Sequence, residues 1–336
     1  MTARAAAIRF ICTFASLAAC LLLGGCNRYA DFTLPKVHGT PTALQFHSRA
    51  EPVLLRGTWD SSDVLNPSVV EHSGQFFNFY SGFDGQTWRT GLAISPDGVR
   101  WTKQLKPVLS PDAKTWESSY IAANGSALWF DGEFRYWYQT GAHDAPRIAY
   151  AHSKDGVSWT KHPTPVLDYG PRGSFDESAT ADPCVIRIGD TFYLYYLGQN
   201  RARQQRLGIA RSRGGIVWEK FRGSPFWNLP APGSGAFNEN GDGEPAVFVY
   251  RDLYWMLWTG RDSKEHRSLG LAHSNDGVHW TPTKQVFRGD RPWNATIVAD
   301  PTVLIISGKP TVWFGGGNQP SPDERLNGQI GIGYIE

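Results

Sequence analysis

The sequence predicts an all-β fold: a five-bladed β-propeller with four-stranded blades, the last blade closed by an N-terminal strand. Three observations predict it. A short motif recurs four times at near-constant spacing, each copy sits in the same series of strand-like segments, and the one strand missing at the C-terminal end is found at the other end.

The motif reads Ser95-Pro96-Asp97-Gly98-Val99-Arg100-Trp101, and its copies end at Trp159, Trp218 and Trp280, spaced 58, 59 and 62 residues apart. A fixed period marks a repeat architecture, and Asp-Gly between apolar segments is hairpin chemistry. Just before each copy lies a short strand, such as Thr90 to Ile94 or Arg147 to His152. Ahead of that is an aromatic strand ending in glycine, such as Phe76 to Gly82 or Tyr254 to Gly260, and ahead of that an apolar one, such as Cys184 to Ile188. After each motif a fourth strand ends in a segment such as Pro107-Val108-Leu109. Four strands per repeat form a propeller blade. A fifth unit starts at Thr302 and stops one strand short, and Glu51 to Leu55 reads like the missing fourth strand. Such a pairing would leave no open sheet edge.

Residues 1–25 read as a targeting segment, 26–43 as a linker and 44–336 as the propeller. Arg4 and Arg9 precede a short apolar run from Ile11 to Leu23, the pattern of a signal peptide. Leu23-Gly24-Gly25-Cys26 then resembles the bacterial lipobox, which implies lipidation of Cys26. Asn27 stands where an inner-membrane retention signal would have Asp, so the expected location is the cell envelope, at the outer membrane. The membrane would be met through the lipid, with a monomeric body. Of four cysteines only Cys184 would remain free in the mature chain, so no internal disulfide is expected.

Composition narrows the function. Fourteen Trp, 13 Tyr and 18 Phe favour strands and also suit flat sugar faces. A formal net charge of +2 with no basic stripe gives no footprint for nucleic acid. No cluster of Cys and His suggests a metal, and no cofactor is expected.

The loops approaching the inner strands carry the candidate chemistry. Each has an aromatic-polar pair: Trp59-Asp60, Trp116-Glu117, Phe175-Asp176, Phe237-Asn238 and Trp293-Asn294. Six or seven residues later a second polar residue opens the strand: Asn66, Asn124, Asp182, Glu244 or Asp300. These should face the central funnel. Carboxylates sharing one pocket raise each other's pKa, and glycoside hydrolysis needs such a pair, one an acid and one a base or nucleophile. Loops between the second and third strands open on the same face, so His143 and Arg261 could line the substrate site, beside Trp59 and Asp176.

These residues resemble the five-bladed glycosidases of glycoside hydrolase families 43, 32 and 68. Ala181-Asp182-Pro183 is similar to the family 43 Asp-Pro whose Asp tunes the acid and orients the sugar, and Glu244 is similar to its general acid. In the first blade the family has a base Asp directly before Pro, and this chain has Asn66-Pro67. Trp59-Asp60-Ser61 is similar to the family 68 nucleophile element, so either Asp60 or Asp63 would act as base or nucleophile. The resemblance implies a glycosidase acting on a poly- or oligosaccharide. A glycan-binding lipoprotein without activity and a glycoside phosphorylase are the rivals, the latter needing cations near the funnel, for which Arg201, Arg203 and Arg261 are candidates.

Overall fold

Aromatic and β-branched residues alternating with turn chemistry leave strands as the regular elements of the described chain. The structure, a computed structural model, describes residues 28–336. The signal segment 1–25 and Cys26 lie outside the described residues.

Two short strands come first, β1 (Arg28–Ala30) and β2 (Phe46–Ser48). Antiparallel groups follow. The first holds β3 (Asp63–Leu65), β4 (Val69–His72), β5 (Gln75–Phe83), β6 (Trp88–Ser95) and β7 (Thr102–Lys103), with β3 and β4 forming one interrupted inner strand against β5. The second holds β8 (Ile121–Phe130), β9 (Glu133–Ala142), β10 (Ala145–Ser153) and β11 (Thr160–Lys161). Next come β12 (Ala179–Ile188), β13 (Thr191–Gln199), β14 (Gln205–Ser212) and β15 (Glu219–Phe221). The fourth set is β16 (Gly241–Tyr250), β17 (Leu253–Arg261), β18 (Arg267–Ser274) and β19 (Thr281–Phe287). The chain ends with β20 (Ile297–Ile306), β21 (Lys309–Gly317) and β22 (Gln329–Ile335).

The motif turns are built as their composition dictates. The Ser95 hydroxyl accepts the N–H of Gly98, and Asp97 Oδ1 accepts the N–H groups of Val99 and Arg100 at 3.0 and 2.8 Å. Gly98 has φ +71, which suits a residue without Cβ. Each turn also meets an aromatic of another group. Trp313 Nε1 donates to Gly98 O at 2.8 Å, Trp137 Nε1 to Gly215 O at 2.6 Å, and the Tyr195 hydroxyl to Gly277 O at 2.8 Å. These rings are buried, and such burial stabilises by roughly 1.5–3 kcal/mol per large apolar side chain.

The N-terminal partner of the final strand is β2, which pairs with β22 from Phe46↔Ile335 to Ser48↔Gly333. Within the expected strand 51–55, Leu54 makes an isolated bridge to Ile330, matching the bridges of Leu109 to Thr90 and Leu167 to Ile148. The segment expected as a linker, 26–43, packs at several points of its described part, with most of its residues exposed. β1 pairs in parallel with β15, and Phe32 and Leu34 are buried among aromatics. The sequence signal for this was weak because the pairing spans three residues and the apolar positions are irregularly spaced.

Candidate functional site

The five residues expected at the funnel share one rare backbone state. Asn66, Asn124, Asp182, Glu244 and Asp300 have φ of 45, 47, 46, 47 and 55. Asn and Asp enter this left-handed region more readily than other non-glycine residues, and a Glu there is less usual. In β8, β12, β16 and β20 the register against the second strand slips at these residues, as between Ala181 and Cys184 or between Gly243 and Ala246. A bulge re-aims a side chain, and here all five line a common cavity of about 320 Å³.

Hydrogen bonds link the groups around this cavity. Ser81 Oγ donates to Asn124 Oδ1 at 2.9 Å, and Asn124 Nδ2 donates to Asp182 Oδ1 at 3.2 Å. The N–H of Val247 reaches Cys184 Sγ at 3.4 Å, that of Asp300 reaches Thr259 Oγ1 at 3.2 Å, and that of Asn66 reaches Asp300 Oδ2 at 3.3 Å. Cys184 is thus an acceptor between groups as well as an apolar filler.

Three carboxylic acids share the funnel floor. Asp182 keeps some surface toward the funnel, but protein encloses the rest. Burial first, and then the Glu244 charge, push its pKa up to about 8, against the Asn124 hydrogen bond. The same two causes raise Asp300 well above the ordinary carboxylate range, opposed by Arg267. Burial pulls the Arg267 guanidinium down, but Glu244, Asp300, Asp323 and Glu265 together hold it above its usual value. Glu244 Oε2 is buried and has no hydrogen-bond partner in the protein. A buried, unpaired carboxylate oxygen is costly and calls for an explanation.

His143 and Arg261 line the cavity as expected, with Arg203 beside them. Trp59, Asp60, Asp63 and Asp176 do not line it. Asp60 is wholly buried, accepting the Tyr80 hydroxyl at 2.9 Å and pairing with Lys103. Asp176 does the same with Tyr196 at 2.9 Å and Lys220 at 2.6 Å, and Glu117 with Tyr138 at 2.7 Å and Lys161. Each of these acids ties its approach loop to the second and fourth strands of its group. In the fourth group Asp242 replaces this device. It is raised to about 6 by burial, and Trp227, Trp258 and Asn238 donate to it. Trp59 lies against Gly82, where any Cβ would clash with its ring. Asp63 accepts the N–H groups of Arg325 and Gly328 at 2.7 and 2.8 Å, and so anchors the loop between β21 and β22.

That loop carries residues sequence reasoning missed. Asp323 lines the funnel, and Pro322 O accepts from Arg267. Arg267 itself opens β18, the third strand of its group, and no feature of the sequence marked it.

The model of the glycosyl hydrolases family 32 N-terminal domain matches residues 117–298. An uncharacterized protein of Mycobacterium tuberculosis, MT1551, is 29% identical over 244 residues, 66% of this chain and 76% of its own length. A 1,2-beta-oligomannan phosphorylase of a Thermoanaerobacter species is 26% identical over 194 residues, 54% of this chain and 59% of its own. Among solved structures, a glycosyl hydrolase from Bacteroides ovatus has a TM-score of 0.68 at 18% identity, covering 90% of this chain and 96% of its own. A structure from the GH130 family of mannoside phosphorylases, which contains glycoside hydrolases that target beta-1,2 mannosidic linkages in Candida mannan, has a TM-score of 0.66 at 19% identity over 89% and 96%. These structural likenesses bear on the fold, an all-β, propeller-like one.

Proposed function

The chain belongs to the family of the glycosyl hydrolases family 32 N-terminal domain, and from that premise we infer that it hydrolyses a glycosidic bond of a poly- or oligosaccharide in the funnel. The convergence of Asp182, Glu244 and Asp300 on one cavity carries the reading. In this mechanism Asp182 donates the proton to the leaving oxygen, since a carboxyl raised to about 8 holds its proton at neutral pH. Glu244, with its unpaired Oε2, supplies the carboxylate at the anomeric carbon, either directly or through water. Asp300 and Arg267 hold sugar hydroxyls. This gives Asp182 the acid role that the family resemblance implied for Glu244, and Glu244 the base or nucleophile role that it implied for Asp60 or Asp63. It also moves the second carboxylate from Asp60 or Asp63, whose oxygens are engaged inside the protein, to the floor.

Phosphorolysis is the second reading. It is favoured by Arg203, Arg261 and Arg267 on the cavity wall and by the phosphorylase relative. Against it, carboxylates stand beside each guanidinium: Asp144 by Arg203, Glu265 by Arg261 and Glu244 by Arg267. The test is product formation from a glycan panel, with and without inorganic phosphate. Hydrolysis predicts free reducing sugar in both. A sugar 1-phosphate formed only with phosphate selects the second reading, and binding without product selects a glycan-binding protein.

We also propose that the groups are five blades closed into a ring, spanning 44–336. The hydrogen bonds around the floor and the Trp313 contact with Gly98 support closure, and the β2–β22 pairing supports an N-terminal strand in the last blade. The lipobox-like segment supports a mature protein anchored through Cys26 at the outer membrane.

A further inference from the structure

Strand direction sorts the molecule into two ends. The cavity is lined by the openings of the inner strands and by the beginnings of third strands in four of the groups, such as Asp182 in β12 and Gln205 in β14, and by the ends of second strands, such as Gln199 in β13. The opposite end therefore carries the motif turns and the far ends of the inner strands. Seven large apolar side chains are exposed among the described residues, and five of them sit at this opposite end. Val157 and Val217 are in motif turns, at 46% and 57% exposure. Val249 and Ile305 are one residue from the ends of β16 and β20, and Tyr334 is one residue from the end of β22. They come from four successive groups and make up most of the exposed large apolar side chains among the described residues.

The described residues start beside that surface. β1 runs parallel to β15, with Arg28 opposite Glu219. Glu219 directly follows the motif turn that contains Arg213 and Val217, so Arg28 lies at the far end from the funnel. Arg28 and Arg213 are both exposed. Cys26 precedes Arg28 by two residues, which span at most about 7 Å of extended chain.

We propose that the end opposite the funnel rests on the bilayer, so that the funnel mouth points away from the membrane. The proposal rests on the lipid anchor at Cys26. A tether this short holds the attached edge within the headgroup layer, about 5–10 Å deep, where apolar side chains and arginines are favourable together. It leaves the opening free to receive a polymer from the aqueous side.

The test uses the full-length lipoprotein in vesicles of phosphatidylethanolamine and phosphatidylglycerol carrying a quencher-labelled lipid. A fluorophore is placed at Val217→Cys or at Gln86→Cys, which lies on a funnel-side loop, in a Cys184→Ser background. Quenching is expected several-fold stronger at 217 than at 86. Equal quenching at both positions, quenching at 86 alone, or none at either overturns the orientation. Mass spectrometry of the N-terminal peptide reads the anchor separately. A lipidated peptide with no quenching at 217 leaves the anchor standing and removes the orientation, whereas a peptide without lipid removes both.

Discussion

Asp182 shows how one position couples chemistry to stability. In an unfolded chain its carboxyl would titrate near 4, and in the fold it is raised to about 8. Between those values the folded chain holds a proton that the unfolded chain has released. The stability from this group is therefore complete below about pH 4 and is lost as pH rises toward 8. The melting temperature should fall over that window, and Asp182→Asn should flatten the fall, as calorimetry from pH 4.5 to 8.5 would read. An unchanged slope would mean the proton is held elsewhere. On the proposed mechanism the same titration sets the alkaline limb of activity, which Asn124→Ala should move upward by removing a hydrogen bond that lowers the Asp182 pKa. The polar residues at the strand openings were legible because they recur at one place in each repeat. Their left-handed backbone was not, because Asn-Pro or Glu-Pro in a sequence does not announce a bulge. Glu244 is the least expected residue in that state, which makes its strain a pointer to function.

At the scale of the element, the acid in three of the five aromatic-polar pairs is an anchor for the outer strand. Lys220 and Asp176 are nearly inaccessible, and burial pulls the lysine below its usual pKa against the opposing pull of Asp176. Removing one member strands a buried charge, so Lys220→Ala should lower stability by about 3–5 kcal/mol in urea unfolding. Lys103→Ala should cost less, because that side chain is 21% exposed. An equal loss for both would argue against burial as the cause. Asp60, Glu117 and Asp176 recur at one place in three successive groups, which fits a shared structural job as readily as a shared site. The resemblance of Trp59-Asp60-Ser61 to a nucleophile element pointed the other way. Only the lysines on the fourth strands decide it, and their pairing with distant loops was not visible in the spacing.

For the whole molecule, the period of the motif gave the repeats, and the unfinished last unit gave the need for an N-terminal partner. What the sequence hid was how far upstream that partner begins. Leu34 and Leu44 are 1% exposed and Phe32 8%, so the segment before the first group contributes side chains to the core. A chain starting at Ala50 would lose these contacts, roughly 1.5–3 kcal/mol for each side chain. It would also leave the Gly333 to Ile335 end of the β22 edge unpaired, a site for association between copies. Lower melting temperature and self-association by light scattering are the expected results, whereas a true linker would be removed without effect. All these scales converge on one claim, that bond cleavage belongs to the left-handed floor of the funnel and not to the loops that lead into it. The most direct measurement compares turnover of a cleaved glycan by Glu244→Gln and Asp60→Asn, with the melting temperature of each. The account predicts that Glu244→Gln loses about a hundred- to ten-thousand-fold in kcat with its fold intact, while Asp60→Asn melts earlier but retains turnover when folded. Full activity in Glu244→Gln, with Asp60→Asn inactive at an unchanged melting temperature, would contradict it.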